Sequence, residues 1–295
     1  MKKIIFGTDW GEDCDDVVAL RLLARKHKAG EIELLGVAIN TCIDESVASL
    51  DGFLASEGLS LPIGIDRSAT GLCGYITYQK RLAEYASKYK SNDSAEDGVA
   101  LYRRLLSESV VPVEIVEVGF LQILAGLLES EGDEYSDLNG VELVRAKVKK
   151  VWSMAGKYDG DGGKEYNICK SEFTTKAADT VARKCPVPIT FLGMEVGLSV
   201  KTGGSWVLKE GDLLLDAMRD YGTGDGRSSW DPMTALLAVI GDEQKAGYTA
   251  VRGTLHVDID SGANHFTPSE NGPHAYVVKN FEDTYYSNAI NEIIV

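Results

Sequence analysis

The stretch Gly7-Thr8-Asp9-Trp10-Gly11-Glu12-Asp13-Cys14-Asp15-Asp16 joins an apolar run, Ile4-Ile5-Phe6, to a segment with helical periodicity that begins at Val17. Strand, tight turn and helix together make half of a βαβ unit, which belongs to a parallel sheet covered by helices. That arrangement also fixes where the turn lies, because open α/β proteins bind ligands outside the carboxyl ends of their strands. Asp9, Glu12, Asp13, Asp15 and Asp16 repel one another on this turn. A helix amino terminus offsets only up to about 1 kcal/mol per charged group. Two readings follow: the carboxylates splay into water as an acidic cap, or a cation lies among them. Aspartate oxygens without a His or Cys pair beside them suit a hard cation, Ca²⁺ or Mg²⁺, and not zinc.

The rest of the chain repeats the alternation. Helices are predicted over 17–28, 44–57, 79–91, 95–108, 120–130, 141–147, 171–184, 211–220, 233–240 and 282–293. Buried-strand runs fall at 33–39, 61–65, 113–119, 150–156 and 186–193, with further strand-like runs near 248–258 and 275–279. Residues 66–78 and 157–164 are Gly-rich loops, and 222–229 is a Gly/Ser-rich turn. No repeat or composition shift marks a boundary. The expectation is one α/β domain over 1–295, an open, doubly wound, mostly parallel sheet with helices on both faces.

At 295 residues, 44% hydrophobic and 25% charged, the chain has a globular composition. Its charge of 30 − 45 = −15 repels phosphate backbones and anionic headgroups, so neither nucleic acid nor a membrane surface is an expected partner. Cys14, Cys42, Cys73, Cys169 and Cys185 show no C-x-x-C spacing and read as reduced thiols. The basic start meets Asp9 too early for a signal peptide's apolar core, which points to the cytoplasm, with a removed signal as the alternative.

Asp9, Asn40, Met154, Glu195 and Asp231 each follow an apolar segment or begin a helix, and in a parallel sheet such positions converge on one rim. Each also has a plain structural reading: Asn40 as a turn residue, Met154 as core, and Asp231 as an N-cap ahead of Pro232. Trp230 reads either as a surface anchor or as a platform for a flat ligand. Other chemistries fail on spacing. An EF-hand loop from Asp13 would need Gly and Glu where Val18 and Ala24 stand. A D-x-D phosphohydrolase motif fails at Gly11, and neither a G-x-x-x-x-G-K-[ST] loop nor a G-x-S-x-G elbow occurs. His27, His256, His265 and His274 have no metal-ligand spacing.

Taken together, these elements resemble the nucleoside hydrolases of the inosine-uridine type. Thr8 to Val17 resembles a longer variant of that family's D-T-D-P-G-x-D-D-A turn, with the DD pair kept as Asp15-Asp16. Gly119-Phe120-Leu121-Gln122 is similar to its G-P-L-T segment, Met154-Ala155-Gly156 to its M-G-G turn, Glu165-Tyr166-Asn167 to its E-F-N element and Trp230-Asp231-Pro232 to its H-D-P element. The resemblance covers nearly the whole chain.

It implies a bound Ca²⁺ held by Asp9, Asp16, Asp231 and the backbone carbonyl of Gln122. Asp15 would hold the ribose 2′-hydroxyl, Asn167 and Asp231 the 3′-hydroxyl, and Glu165 would reach toward the 5′ end. Met154 would pack on the sugar, Asp159 stands where the family often has an Asn for the 5′-hydroxyl, and Asn40 would neighbour the site. Asp9 would act as the general base in the hydrolysis of a ribonucleoside to base and ribose, by a homodimer or homotetramer. Asp13 has no counterpart and is expected to lie behind the ligands or in solvent. Trp230 replaces the His that protonates the leaving base, so stacking of the base by Trp230 with Tyr75 or Tyr78 is the alternative, with Trp10 another aromatic near the turn. A non-catalytic or weakly catalytic ribosyl-binding protein that keeps the metal site and a divalent-metal phosphohydrolase are the competing functions.

Overall fold

The computed structural model describes residues 1–73, 77–160 and 162–295. In chain order the strands are β1 (Lys2–Thr8), β2 (Ile32–Ile39), β3 (Ile63–Ile65), β4 (Glu96–Asp97), β5 (Val113–Glu117), β6 (Val148–Met154), β7 (Ile189–Leu192), β8 (Lys201–Thr202), β9 (Arg227–Ser228), β10 (Tyr248–Val257), β11 (Asn264–Pro268) and β12 (His274–Lys279). Ten of them form one sheet in the order β11-β10-β12-β7-β6-β5-β1-β2-β3-β4, and β8 pairs with β9 apart from it. From β12 through β4 every neighbouring pair is parallel; β10 and β11 add an antiparallel edge.

Period-2 alternation divides the core between the two faces. Ile4 and Phe6 belong to one apolar cluster and Ile5 to the other; likewise Trp152 and Met154 lie opposite Val151. The first cluster takes the helices Asp15–Lys28, Ser46–Ser56, Leu213–Tyr221, Trp230–Ile240 and Asp283–Ile294, and the second takes Gly98–Glu108, Gln122–Glu129, Gly140–Lys147 and Glu172–Lys184. The sheet is therefore open and doubly wound, as its sequence predicts.

The chain runs outward from β1 to β4, then returns to the other side of β1 with β5. This reversal is a topological switch point, where the loops after β1 and β5 part and leave a crevice. Asp9 follows β1, and Gly119 follows β5. A Cβ at Gly119 would fall against the Asp9 backbone nitrogen and 2.7 Å from the Asp9 Cβ, so only glycine lets the two loops meet so closely.

Elements differ from the sequence expectation in several places, among them the following. The helix predicted over 79–91 is short, Gln79–Ala83. The edge strand Asn264–Pro268 is half-exposed and lacks a clean apolar pattern. Asp231 is not an N-cap: Ser229 holds that position and Asp231 lies in the first turn, which leaves its carboxylate free of capping.

Candidate active site

The acidic turn is anchored from below. Gly11 takes φ 115°, a conformation that glycine adopts without strain, and Glu12 N–H donates to the Asp9 carbonyl at 3.2 Å. Trp10 is fully buried, its indole N–H donating to Ser49 Oγ at 2.8 Å, and Tyr78 is packed edge-on to it with its hydroxyl donating to the Asp13 carbonyl at 2.6 Å. Neither Trp10 nor Tyr78 faces ligand space, so neither stacks a base; both are core. Tyr75 lies outside the described residues.

Above the turn is a cavity of about 340 Å³, lined among others by Asp9, Asp15, Met154, Glu165, Asn167, Trp230 and Asp231. Those seven sequence-derived residues are brought together. Asp16 lies just behind the lining: one carboxylate oxygen each from Asp15, Asp16 and Asp231 falls within 4.8 Å of the others. The resemblance assigned Asp9 to this group and Asp15 to the sugar, whereas the geometry puts Asp15 in the group and Asp9 beside it. Asp15 and Asp16 come from the first turn of the Asp15–Lys28 helix, Asp231 from the first turn of Trp230–Ile240. The Asp231 backbone N–H donates to Asp15 Oδ2 at 3.1 Å and ties the two helix starts together.

These carboxylates are buried at a cost of several kcal/mol for each ion. Burial first, then mutual repulsion, raises the pKa of Asp15, Asp16 and Asp231 well above the ordinary carboxyl value. Asp9 is pushed to about 8 by burial and then by the charge of Glu12. Asp16 accepts a hydrogen bond from Thr8 Oγ1 on one oxygen, while its buried Oδ2 has no partner among the described residues. The guanidinium that lines the cavity, Arg227, is paired with Asp13. An orphaned buried oxygen and an all-oxygen donor set fit a hard divalent cation.

Glu165 is the N-cap of Tyr166–Cys169, accepting from Asn167 N at 2.8 Å and Gly156 N at 2.9 Å. Burial raises its pKa to about 7 against these hydrogen bonds. The Asn167 amide nitrogen donates to the Val118 and Met154 carbonyls, both at 2.9 Å, which leaves its Oδ1 as an acceptor on the cavity.

Four residues named from the sequence, Asn40, Gln122, Asp159 and Glu195, do not line the cavity. Asn40 is fully buried and donates to the Phe120 carbonyl, so it braces the loop after β5 and touches no ligand space. Gln122 begins the Gln122–Glu129 helix and donates its side-chain amide to the Asn40 carbonyl at 2.5 Å; it does not line the cavity. Asp159 is exposed and paired with Lys157 at 2.8 Å. Glu195 accepts from Tyr158 N at 3.3 Å, and its neighbour Met194 lines the cavity in its place.

Sequence reasoning missed Tyr166, Met194, Tyr221 and Arg227, and it placed Asp13 behind the site or in solvent. Asp13 lines the cavity and holds Arg227, with Nε 2.9 Å from Oδ1. Tyr166 was within reach, as the middle residue of the quoted Glu165-Asn167 element. Arg227 carries no periodic signal in a Gly/Ser-rich turn, and its partner is 214 positions away.

No protein-family model matches the chain, and no curated protein matches it. Solved structures do. The inosine-uridine preferring nucleoside hydrolase from Bacillus anthracis superposes with TM-score 0.72 at 18% identity, over 100% of this chain and 99% of that one. An inosine-guanosine nucleoside hydrolase gives 0.68 at 12%, again over 100% and 99%. The type III effector protein XopQ, complexed with adenosine diphosphate ribose, gives 0.65 at 16% over 99% and 91%. The ten-stranded sheet, its switch point and these superpositions agree: the chain has the nucleoside hydrolase fold.

Proposed function

We propose that this protein hydrolyses the N-glycosidic bond of ribonucleosides, with Ca²⁺ as its cofactor. The observation that carries the proposal is the convergence of Asp15, Asp16 and Asp231, with an orphaned oxygen, beside a cavity lined by Asp9, Met154 and Asn167. Asp15, Asp16 and Asp231 would hold the cation. Three converging carboxylates suit Ca²⁺ better than Mg²⁺, which keeps several waters and uses one or two carboxylates. When bound, the cation lowers the pKa of water and fixes vicinal hydroxyls.

The remaining steps belong to the chain. Asp9, outside the three-carboxylate group, takes the proton of the attacking water. At a pKa of about 8 it would be protonated at neutral pH, and a cation held by the neighbouring carboxylates would lower that value and keep it a base. Asn167 Oδ1 accepts from a ribose hydroxyl, and Met154 packs on the sugar, which supplies orientation. Water adds to the anomeric carbon as the bond to the base breaks, and the surrounding carboxylates stabilise the positive charge that develops on the sugar. No Ser or Cys nucleophile is needed for this direct displacement.

The test is release of ribose from inosine, guanosine, adenosine and uridine, with and without chelator. Chelator-sensitive release is expected, and Asp9→Ala should lower it by 10²-fold or more, roughly the worth of a general base. Turnover by Asp9→Ala near that of the native protein would remove Asp9 from the role. Ribose binding without release would instead support a binding protein, the reading that Trp230 in place of the leaving-group His favours.

A further inference from the structure

Breaking the bond between sugar and base puts an electron pair on the base nitrogen, and the steps above give that nitrogen no partner. Trp230 cannot: its indole N–H is already donated to the Met194 carbonyl at 2.6 Å. None of the four histidines lines the cavity. Arg227, on β9, does line it. Its Nε lies 2.9 and 3.1 Å from the two Asp13 oxygens, and its Nη2 also bonds Asp13. Among the described residues the remaining amino group, Nη1, has no acceptor. The guanidinium carbon is 5.1 Å from the centre of the Trp230 ring and 5.7 Å from that of Tyr221, over both rings. A planar cation with one unused donor edge is thus held at the aromatic rim of the cavity, beside Trp230.

We infer that Arg227, oriented by Asp13, is the leaving-group residue of this site, donating from Nη1 to the departing base and carrying its negative charge. This rests on the ribohydrolase proposal. In the step, water oxygen bonds the anomeric carbon and its proton passes to Asp9, while the electron pair of the broken bond goes to the base nitrogen. The guanidinium stays protonated throughout, because Asp13 pushes its pKa still higher. The base takes its proton from solvent, to which Asp9 returns one, so the balance is nucleoside plus water to ribose plus base. A partly exposed ion pair is worth at most about 1 kcal/mol to stability, so a strap between β9 and the acidic turn is a weak reason for this pair. Pointing a fixed donor at developing charge is a stronger one. The substrates implied are ribosides whose leaving base carries hydrogen-bond acceptors on its exposed edge.

The experiment compares inosine with 4-nitrophenyl β-D-ribofuranoside, whose leaving group is stable as an anion and needs no assistance. Arg227→Met is expected to lower kcat/KM on inosine by about 10²-fold, the worth of one fixed donor. On the nitrophenyl riboside the change should stay within about fivefold, the most that losing such an ion pair costs. Asp13→Asn, which loosens the fork, should show the same selectivity to a smaller degree. Equal losses on both substrates would overturn the assignment. If Arg227→Met fails to fold, Arg227→Lys supplies the contrast, since it keeps charge but not the fork and should lose rate on inosine alone. A native protein that hydrolyses neither substrate overturns the ribohydrolase proposal itself, which is a distinct result from native turnover with unselective losses.

Discussion

Asp16 shows how much a single side chain can report. One oxygen is bonded to Thr8 and the other is buried with no donor among the described residues. Asp16→Asn should therefore abolish the Ca²⁺-dependent rise in melting temperature, while the chelated protein melts no lower than the native chelated protein, since a buried amide costs less than a buried charge. Thermal unfolding with Ca²⁺ and with chelator checks both halves, and a persisting Ca²⁺ shift would remove Asp16 from the cation group. Which residues lie at strand ends was legible in sequence, and which way their side chains turn was not. Trp10 and Asp9 are adjacent, yet Trp10 fills the core and Asp9 faces the cavity. Asp159 follows the right strand by position, yet it is exposed and pairs with Lys157, two residues away. Arg227 is the opposite failure: a residue with no local signal that gains its place only when the chain returns to Asp13.

Among the elements, the contact between the loops after β1 and β5 decides whether the acidic turn is presented at all. Gly119→Ala places a methyl group against the Asp9 backbone. Overpacking of this kind costs roughly 1–3 kcal/mol. Denaturant unfolding should show that loss together with a fall in ribose release larger than stability alone explains; an unchanged midpoint would mean that the loops can separate freely. Strands and helices were legible because apolar periodicity switches between two and 3.6 along the chain. The antiparallel edge was legible only in part. β10 and β12 carry strand-like runs, but β11, half-exposed and bounded by Gly and Pro, does not.

For the whole molecule, pH and cation act on the same charges. Asp9, Asp15, Asp16 and Asp231 have raised pKa values in the folded state. Without a cation, their contribution to stability is fully present below the unfolded carboxyl pKa and is lost as pH rises through the folded values, about 8 for Asp9. A cation binds the charged forms, so the rise in melting temperature on adding Ca²⁺ should be larger at pH 8 than at pH 5. Equal shifts at the two pH values would refute the linkage. His274 works in the other direction. Burial lowers its pKa from 6.5 to about 4, so its contribution is present above 6.5 and is lost as pH falls toward 4.

The order of the sheet has one further consequence. β1 is hydrogen-bonded on both sides, to β2 within the first 39 residues and to β5 only after residue 113. The last carboxylate of the group arrives at residue 231. A chain emerging from the ribosome thus carries its acidic turn for most of its synthesis before the group can close. A cation held by these three carboxylates would have no complete set of ligands until the parallel sheet is nearly finished, so it would enter late, as a lock on a finished molecule. Its effect would then fall on the lifetime of the native state, through slower unfolding, and little of it on the speed of folding.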